Sequence, residues 1–114
     1  MHELSIAESL IDMIEENAVT HNFKKVTKIT LEIGVLAGIE KSALFFCFDV
    51  AAKNSLAEGA ELAILDKLAE GICRHCHQQV TTSGWYEPCP YCGQMGIEIN
   101  EGQQMIIKSL QVEK

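Results

Sequence analysis

Four of the five cysteines, Cys73, Cys76, Cys89 and Cys92, form two Cys-x-x-Cys pairs separated by twelve residues. Thiolates are soft ligands, and a two-residue gap lets one tight turn aim both sulfurs at the same ion. The intervening loop then brings the second pair round to complete a tetrahedron, with Zn(II) as the default occupant. The second pair stands in Glu87-Pro88-Cys89-Pro90-Tyr91-Cys92-Gly93, where the prolines stiffen the approach and Gly93 can take the positive φ that a knuckle turn needs. The first pair, Cys73-Arg74-His75-Cys76-His77, has two histidines and no such glycine. Four thiolates close the coordination shell and leave no place for water or substrate, so the site reads as structural. The same cage suits iron in a rubredoxin-like electron carrier, and zinc in a ribbon-type adaptor protein. No Ser, His and acid arrangement or phosphate loop is present, and no catalytic residue is assigned.

A second set of ligands stands at Met1-His2-Glu3. A terminal amine and the His2 amide nitrogen close a five-membered ring on a metal, and that amide with the His2 imidazole closes a six-membered one. Three nitrogens then share a plane. The fourth place is open to the Glu3 amide, its carboxylate, water or another histidine, a tetragonal, nitrogen-rich set that suits Ni(II) or Cu(II). His2 is too large for ordinary removal of the initiator, so Met1 is expected to stay and supply the amine. Both amine and imidazole must lose protons to bind, so acid should release the ion.

The chain has 114 residues, 47% of them hydrophobic, enough for one modest core beside a metal-stapled segment of about thirty residues. Its start lacks the charged and apolar regions of a signal peptide, no apolar run approaches the ~18 residues of a membrane span, and the cysteine count is odd; a reducing cytoplasm is expected. The net charge is −7, and between Glu70 and Gly102 the sole cation is Arg74. That balance disfavours nucleic acid, whose binding rests on Lys and Arg neutralising phosphates. Trp85, Tyr86 and Tyr91 are then read as a hydrophobic floor beneath the metal loops.

Periodicity supplies the scaffold. Leu4, Ala7, Leu10, Ile11, Ile14 and Ala18 recur at helical spacing, opposite Glu8, Asp12, Glu15 and Glu16, so an amphipathic helix is expected from Leu4 to about Ala18. Lys25 to Val35 switches to a period of two, with Ile29, Leu31, Ile33 and Val35 on the buried side. A mostly buried helix follows from about Glu40 to Lys53, ended by Asn54 and Ser55, with Cys47 as a small buried hydrophobe. Ala60 to Leu65 and Met105 to Val112 read as further strands. The expected class is α+β: a small mixed α/β domain of two helices on a three-stranded sheet, residues 1–69 plus 103–114, with an inserted zinc-ribbon-like module carrying the four cysteines at 70–102. If the second and third strands are neighbours, Glu70-Gly71 and Glu101-Gly102 tether that module. Such glycines allow relative motion or exchange within a homodimer, and equally serve as ordinary turns.

The opening Met1-His2-Glu3-Leu4-Ser5-Ile6, the segment Leu31-Glu32-Ile33-Gly34, the pattern Glu40-x-Ser42-Ala43-Leu44-x-Phe46-x-Phe48, the turn Ala57-Glu58-Gly59 and the spaced cysteine pairs together resemble the HypA/HybF family. The likeness spans essentially the whole chain. It implies a nickel metallochaperone of [NiFe]-hydrogenase maturation that binds Ni(II) through the Met1 amine, His2 and the Glu3 backbone and carries structural Zn(II) on the four cysteines. It implies no enzymatic activity. The partners implied are the nickel-binding GTPase HypB and the hydrogenase large subunit, with urease maturation drawing on the same protein in some organisms. Some relatives flank both cysteine pairs with histidine; here only the first pair has them, at His75 and His77.

Overall fold

The computed structural model describes residues 3–114. Its elements run in the order α1 (Glu3–His21), β1 (Lys25–Gly34), α2 (Lys41–Ala52), β2 (Glu61–Lys67), β3 (Ala69–Cys73), β4 (Gln79–Thr82), β5 (Ile97–Glu101) and β6 (Met105–Glu113). They form two three-stranded sheets, ordered β2-β1-β6 and β4-β3-β5. The anticipated α+β class, with two helices, a three-stranded sheet and a cysteine module, is the one observed. β1 lies between β2 and β6, so the strands that flank the cysteine segment are the two edges of their sheet and not neighbours. Packing divides the chain into one unit reaching to Leu31 with Ile39–Ala63 and Ile107–Lys114, and a second made of Glu32–Gly38 and Ile64–Ile106. No helix among the described residues is long and apolar enough to cross a membrane.

In the first unit α1 and α2 pack on each other. Ala7, Leu10, Ile11, Ile14 and Ala18 are buried as their spacing demands, but Ile6 joins them and Leu4 stays 46% exposed. At 100° per residue Leu4 stands about 65° and Ile6 about 95° from the stripe's centre, so periodicity alone favours Leu4 and the packing neighbours overrule it. The helix ends at Asn22, φ 64°, with the Asn22 and Phe23 N–H groups both reaching the Ala18 carbonyl at 2.9 and 3.2 Å. Asparagine is among the few residues that tolerate this left-handed position.

The expectation of a mostly buried α2 is corrected. Leu44, Phe48 and Ala52, four residues apart, are buried, whereas Phe45, Phe46 and Val50 are exposed and Cys47 is half-buried. A helix resting on a neighbour buries one stripe, and an apolar run longer than that stripe leaves the surplus in water. In β1, Ile29, Leu31 and Ile33 are buried as anticipated, but Leu36 and not Val35 follows them, because the strand stops at Gly34 and the alternation stops with it.

The second unit is built on β3, which pairs antiparallel with β4 on one side (Gly71 opposite Val80) and β5 on the other (Gly71 opposite Ile99). Ala69, Gly71, Cys73, Val80 and Thr82 alternate onto its buried face. Glu70-Gly71 is therefore neither a tether nor a turn but the middle of a strand paired on both edges. Glycine is required at 71 because a β-carbon there would collide with the Glu98 carbonyl oxygen of β5.

Candidate metal centre

The two cysteine pairs adopt the same turn. His77 N–H bonds the Cys73 carbonyl at 2.9 Å and Gly93 N–H bonds the Cys89 carbonyl at 2.8 Å; Cys73 N–H then reaches the Gln78 carbonyl at 3.0 Å and Cys89 N–H the Gln94 carbonyl at 2.9 Å. The residue after each pair is left-handed, Gly93 at φ 76° and His77 at φ 61°. The glycine expected in the second knuckle thus does what it was expected to do, and His77 takes the same backbone conformation with a side chain attached.

These knuckles bring all four sulfurs within 4.8 Å of one another. Cys73 Sγ lies 3.6 Å from Cys92 Sγ and Cys76 Sγ lies 3.7 Å from Cys89 Sγ. Metal–sulfur bonds of about 2.3 Å at tetrahedral angles require an S···S edge of about 3.8 Å. The cage is therefore sized for a four-coordinate ion, and the donor set fits. Backbone N–H groups point at the deeper sulfurs, from His75 and Cys76 to Cys73 Sγ at 3.4 and 3.5 Å and from Tyr91 to Cys89 Sγ at 3.4 Å. Such donors stabilise thiolate over thiol.

Cys73 and Cys89 are buried, Cys76 half-buried and Cys92 exposed. The Cys76 N–H, assisted by that of His75, draws the Cys73 thiol down to about 6 against the opposing effect of burial. Cys76 is pushed up to about 12: a backbone bond from Gln78 favours its thiolate, but burial and the sulfurs of Cys73, Cys89 and Cys92 outweigh it. Cys92 is raised as well, the backbone bond from Gln94 being overcome by burial and by Cys73 and Cys89. Sulfurs this close hold one negative charge readily and further ones only when a cation sits among them.

The floor of the centre is not aromatic. Val80 and Ile97 pack against the cysteines, whereas Trp85, Tyr86 and Tyr91 are 49%, 89% and 67% exposed. Strand pairing explains the change: β4 and β5 deliver Val80 and Ile97 from either side of β3, and the aromatics stand on the loop beyond. That loop has a latch the sequence did not disclose. Glu87 Oε1 accepts from Thr82 Oγ1 at 2.9 Å, Ser83 Oγ at 2.7 Å and Ser83 N–H at 3.0 Å, tying the approach to Cys89 to the end of β4. The signal available was a carboxylate four residues after a Thr-Ser pair, the pattern of a local turn.

Met1 and His2 lie outside the described residues. Glu3 opens α1, and its Oε2 accepts the Glu40 N–H at 3.2 Å. Glu40 in turn caps α2, its carboxylate accepting from Ser42 N–H at 3.3 Å, Ala43 N–H at 2.7 Å and Ser42 Oγ at 2.7 Å. Among the described residues, the four cysteines are the one cluster of His, Cys, Asp and Glu arranged to hold a metal.

The model of the HypA family, described as hydrogenase/urease nickel incorporation, metallochaperone, matches residues 1–112. Over 113 residues the chain is 80% identical to the hydrogenase maturation factor HypA of Psychromonas ingrahamii, covering 99% of each chain. It is 41% identical to that of Azotobacter vinelandii, covering 99% of this chain and 100% of the relative. The solution structure of the Ni metallochaperone HypA from Helicobacter pylori superposes with a TM-score of 0.73 at 29% identity, covering 99% of this chain and 98% of that one. With a match of this length and relatives this similar, the chain belongs to the HypA family of hydrogenase and urease nickel-incorporation metallochaperones.

Proposed function

We propose that the chain is a nickel carrier that loads the [NiFe]-hydrogenase large subunit during maturation. The observation that carries the reading is family membership over residues 1–112. Ni(II) is the cargo, held by the Met1 amine, the His2 imidazole and the Glu3 backbone within a domain of residues 1–69 and 103–114. Zn(II) is the resident ion, held by Cys73, Cys76, Cys89 and Cys92 in the module 70–102, where it fixes the loops and supplies no open coordination site. The division of labour follows ligand chemistry. Hard and intermediate nitrogen donors in a plane suit Ni(II), while a closed thiolate tetrahedron suits Zn(II). The carrier acts in the cytoplasm by docking and ligand exchange, with the nickel-binding GTPase HypB and the hydrogenase large subunit as partners, and its family description extends the cargo route to urease.

The decisive test is isothermal titration of nickel into untagged, zinc-containing protein, with His2→Ala and an amino-terminally acetylated form alongside. Both changes should remove nickel binding and leave one zinc per chain. Unchanged nickel affinity in either form, or X-ray absorption placing nickel among sulfurs, overturns the assignment. Visible absorption of the protein as isolated separates zinc from a rubredoxin-like iron centre, since only the iron form is coloured.

A further inference from the structure

The single tryptophan and both tyrosines of the chain fall between residues 85 and 91. All three are exposed, and none belongs to the metal centre's packing. Large rings left in water are spent surface for a monomer, and Trp and Tyr are the residues that most often anchor interfaces. Beside them Leu68, Thr81, Glu87, Pro88 and Pro90 line an open groove of about 290 Å³, with Leu68 itself half exposed. The aromatic loop is thus continuous in sequence with a mixed trough, apolar at Leu68, Pro88 and Pro90 and polar at Thr81, Thr82, Ser83 and Glu87.

Charge selects the occupant. Between residues 64 and 106 the acids are Asp66, Glu70, Glu87, Glu98 and Glu101, and the cations are Lys67 and Arg74. Lys67 lies 3.9 Å from Glu70 and Arg74 3.0 Å from Glu98, so both cations are already engaged by acids of the same unit. Four thiolates on a divalent ion add a further net −2, and Cys92, the exposed ligand, adjoins Tyr91. Phosphates would be repelled from such a surface, whereas a guanidinium gains both from the acidic field and from stacking on exposed rings.

We propose that the loop 83–91 with its groove is a docking surface for an arginine-bearing, partly apolar segment of a partner protein. The guanidinium stacks on Trp85, Tyr86 or Tyr91, and an adjacent apolar side chain enters the trough at Leu68, Pro88 and Pro90. This surface is made wholly of residues of the second unit and does not depend on where nickel binds.

Trp85 is a built-in reporter. Titrating zinc-loaded full-length protein with a short peptide of alternating arginine and leucine should change Trp85 emission saturably, more weakly as salt rises. Amide shifts in a nitrogen-15 spectrum should centre on residues 83–93. The same peptide with glutamine for arginine, and a short oligothymidylate, should bind at least roughly tenfold more weakly. Tyr86→Ala with Tyr91→Ala should weaken the arginine peptide by roughly tenfold, with zinc content and circular dichroism unchanged, while Tyr86→Phe with Tyr91→Phe retains it. Unchanged affinity in the alanine variant, equal binding of the glutamine peptide or oligothymidylate, or shifts centred instead on Glu8, Asp12 and Glu15 of α1 would each overturn the proposal. Should the double variant lose zinc, Tyr86→Ala alone, at the most exposed ring, carries the same reading.

Discussion

The carboxylate of Glu3 and the backbone N–H of Glu40 meet at 3.2 Å, joining the first turn of α1 to the residue that caps α2. Glu40 is a long side chain in a place usually filled by Ser, Thr, Asp or Asn, and it folds back to accept from both Ser42 and Ala43. Glu3, whose backbone is among the proposed nickel ligands, is thereby held from its side chain as well as through α1. The Ser42 hydroxyl first, and the Ala43 N–H next, keep the Glu40 carboxyl below the usual carboxylate range. A carboxylate depressed in the folded state stabilises it above the unfolded value and loses that contribution as pH falls through the folded one. Glu40→Ala should therefore lower the melting temperature at neutral pH by several degrees and by much less in acid, with Glu40→Asp intermediate. Glu3→Ala, which keeps the backbone donor but removes the acceptor, should weaken nickel by a few-fold, against complete loss in His2→Ala. Thermal melts across pH and nickel titration check both, and a Glu40→Ala deficit that is constant with pH would contradict the cap.

His77 and Gly93 set up a different comparison, one backbone conformation with and without a side chain. At φ 61° an L-residue is strained by about 1 kcal/mol, and glycine is not, although glycine costs somewhat more chain entropy. His77→Gly should leave stability unchanged or raise it by up to about 1 kcal/mol and should keep zinc, since the four sulfurs suffice. Gly93→Ala, with open space around it but φ 76°, should cost about 1 kcal/mol. Denaturant melts of the zinc-loaded proteins decide, and loss of zinc from His77→Gly would assign that imidazole a role at the metal.

What could be read without coordinates divides along the line between local and tertiary determinants. The two Cys-x-x-Cys pairs and the positive φ at Gly93 are local chemistry and were legible. So were α1, β1 and the stop at Asn54, φ 64°. The exposure of Phe45 and Phe46 was not, because an apolar run does not say how many neighbours its helix has. Strands β3, β4 and β5 were missed because each is only 4 to 5 residues long and each gains its partners through the metal loops. Val80 and Thr82, and Ile97 and Ile99, carried a two-residue alternation that a shorter window would have caught. Gly71 looked like a hinge for the same reason: from sequence a glycine that yields and a glycine that lets strands approach are identical.

That distinction is testable at Gly71 itself. A β-carbon there meets the Glu98 carbonyl oxygen and comes within 2.9 Å of Ile97 Cγ2, and backbone cannot give way as a flexible side chain would. Gly71→Ala should separate β5 from β3, destabilise the unit by more than about 2 kcal/mol and speed loss of zinc to a chelator. A hinge residue would tolerate alanine. Chelator-competition rates and a melt of the zinc-loaded variant measure the difference, and wild-type behaviour in both would restore the tether.

Metal uptake must also move protons, in a direction fixed by the sulfurs. Cys73, at about 6, is largely thiolate near pH 7, whereas Cys76, at about 12, and Cys92, raised above its ordinary value, keep their protons until an ion displaces them. Each zinc bound near neutrality should therefore release at least about two protons. Apparent affinity should rise with pH, and fall as acid reprotonates Cys92, the ligand open to solvent, before the buried Cys73. Calorimetric titration of zinc-free protein in buffers of different ionisation enthalpy yields the proton count directly. Cys92→Ser should be the mildest of the four single replacements, and Cys73→Ser, which removes the sulfur held by two backbone N–H groups at 3.4 and 3.5 Å, should lose zinc most completely. Uptake that releases no protons, or a Cys73→Ser chain that holds zinc as firmly as Cys92→Ser, would mean the ion is not gripped by this cage.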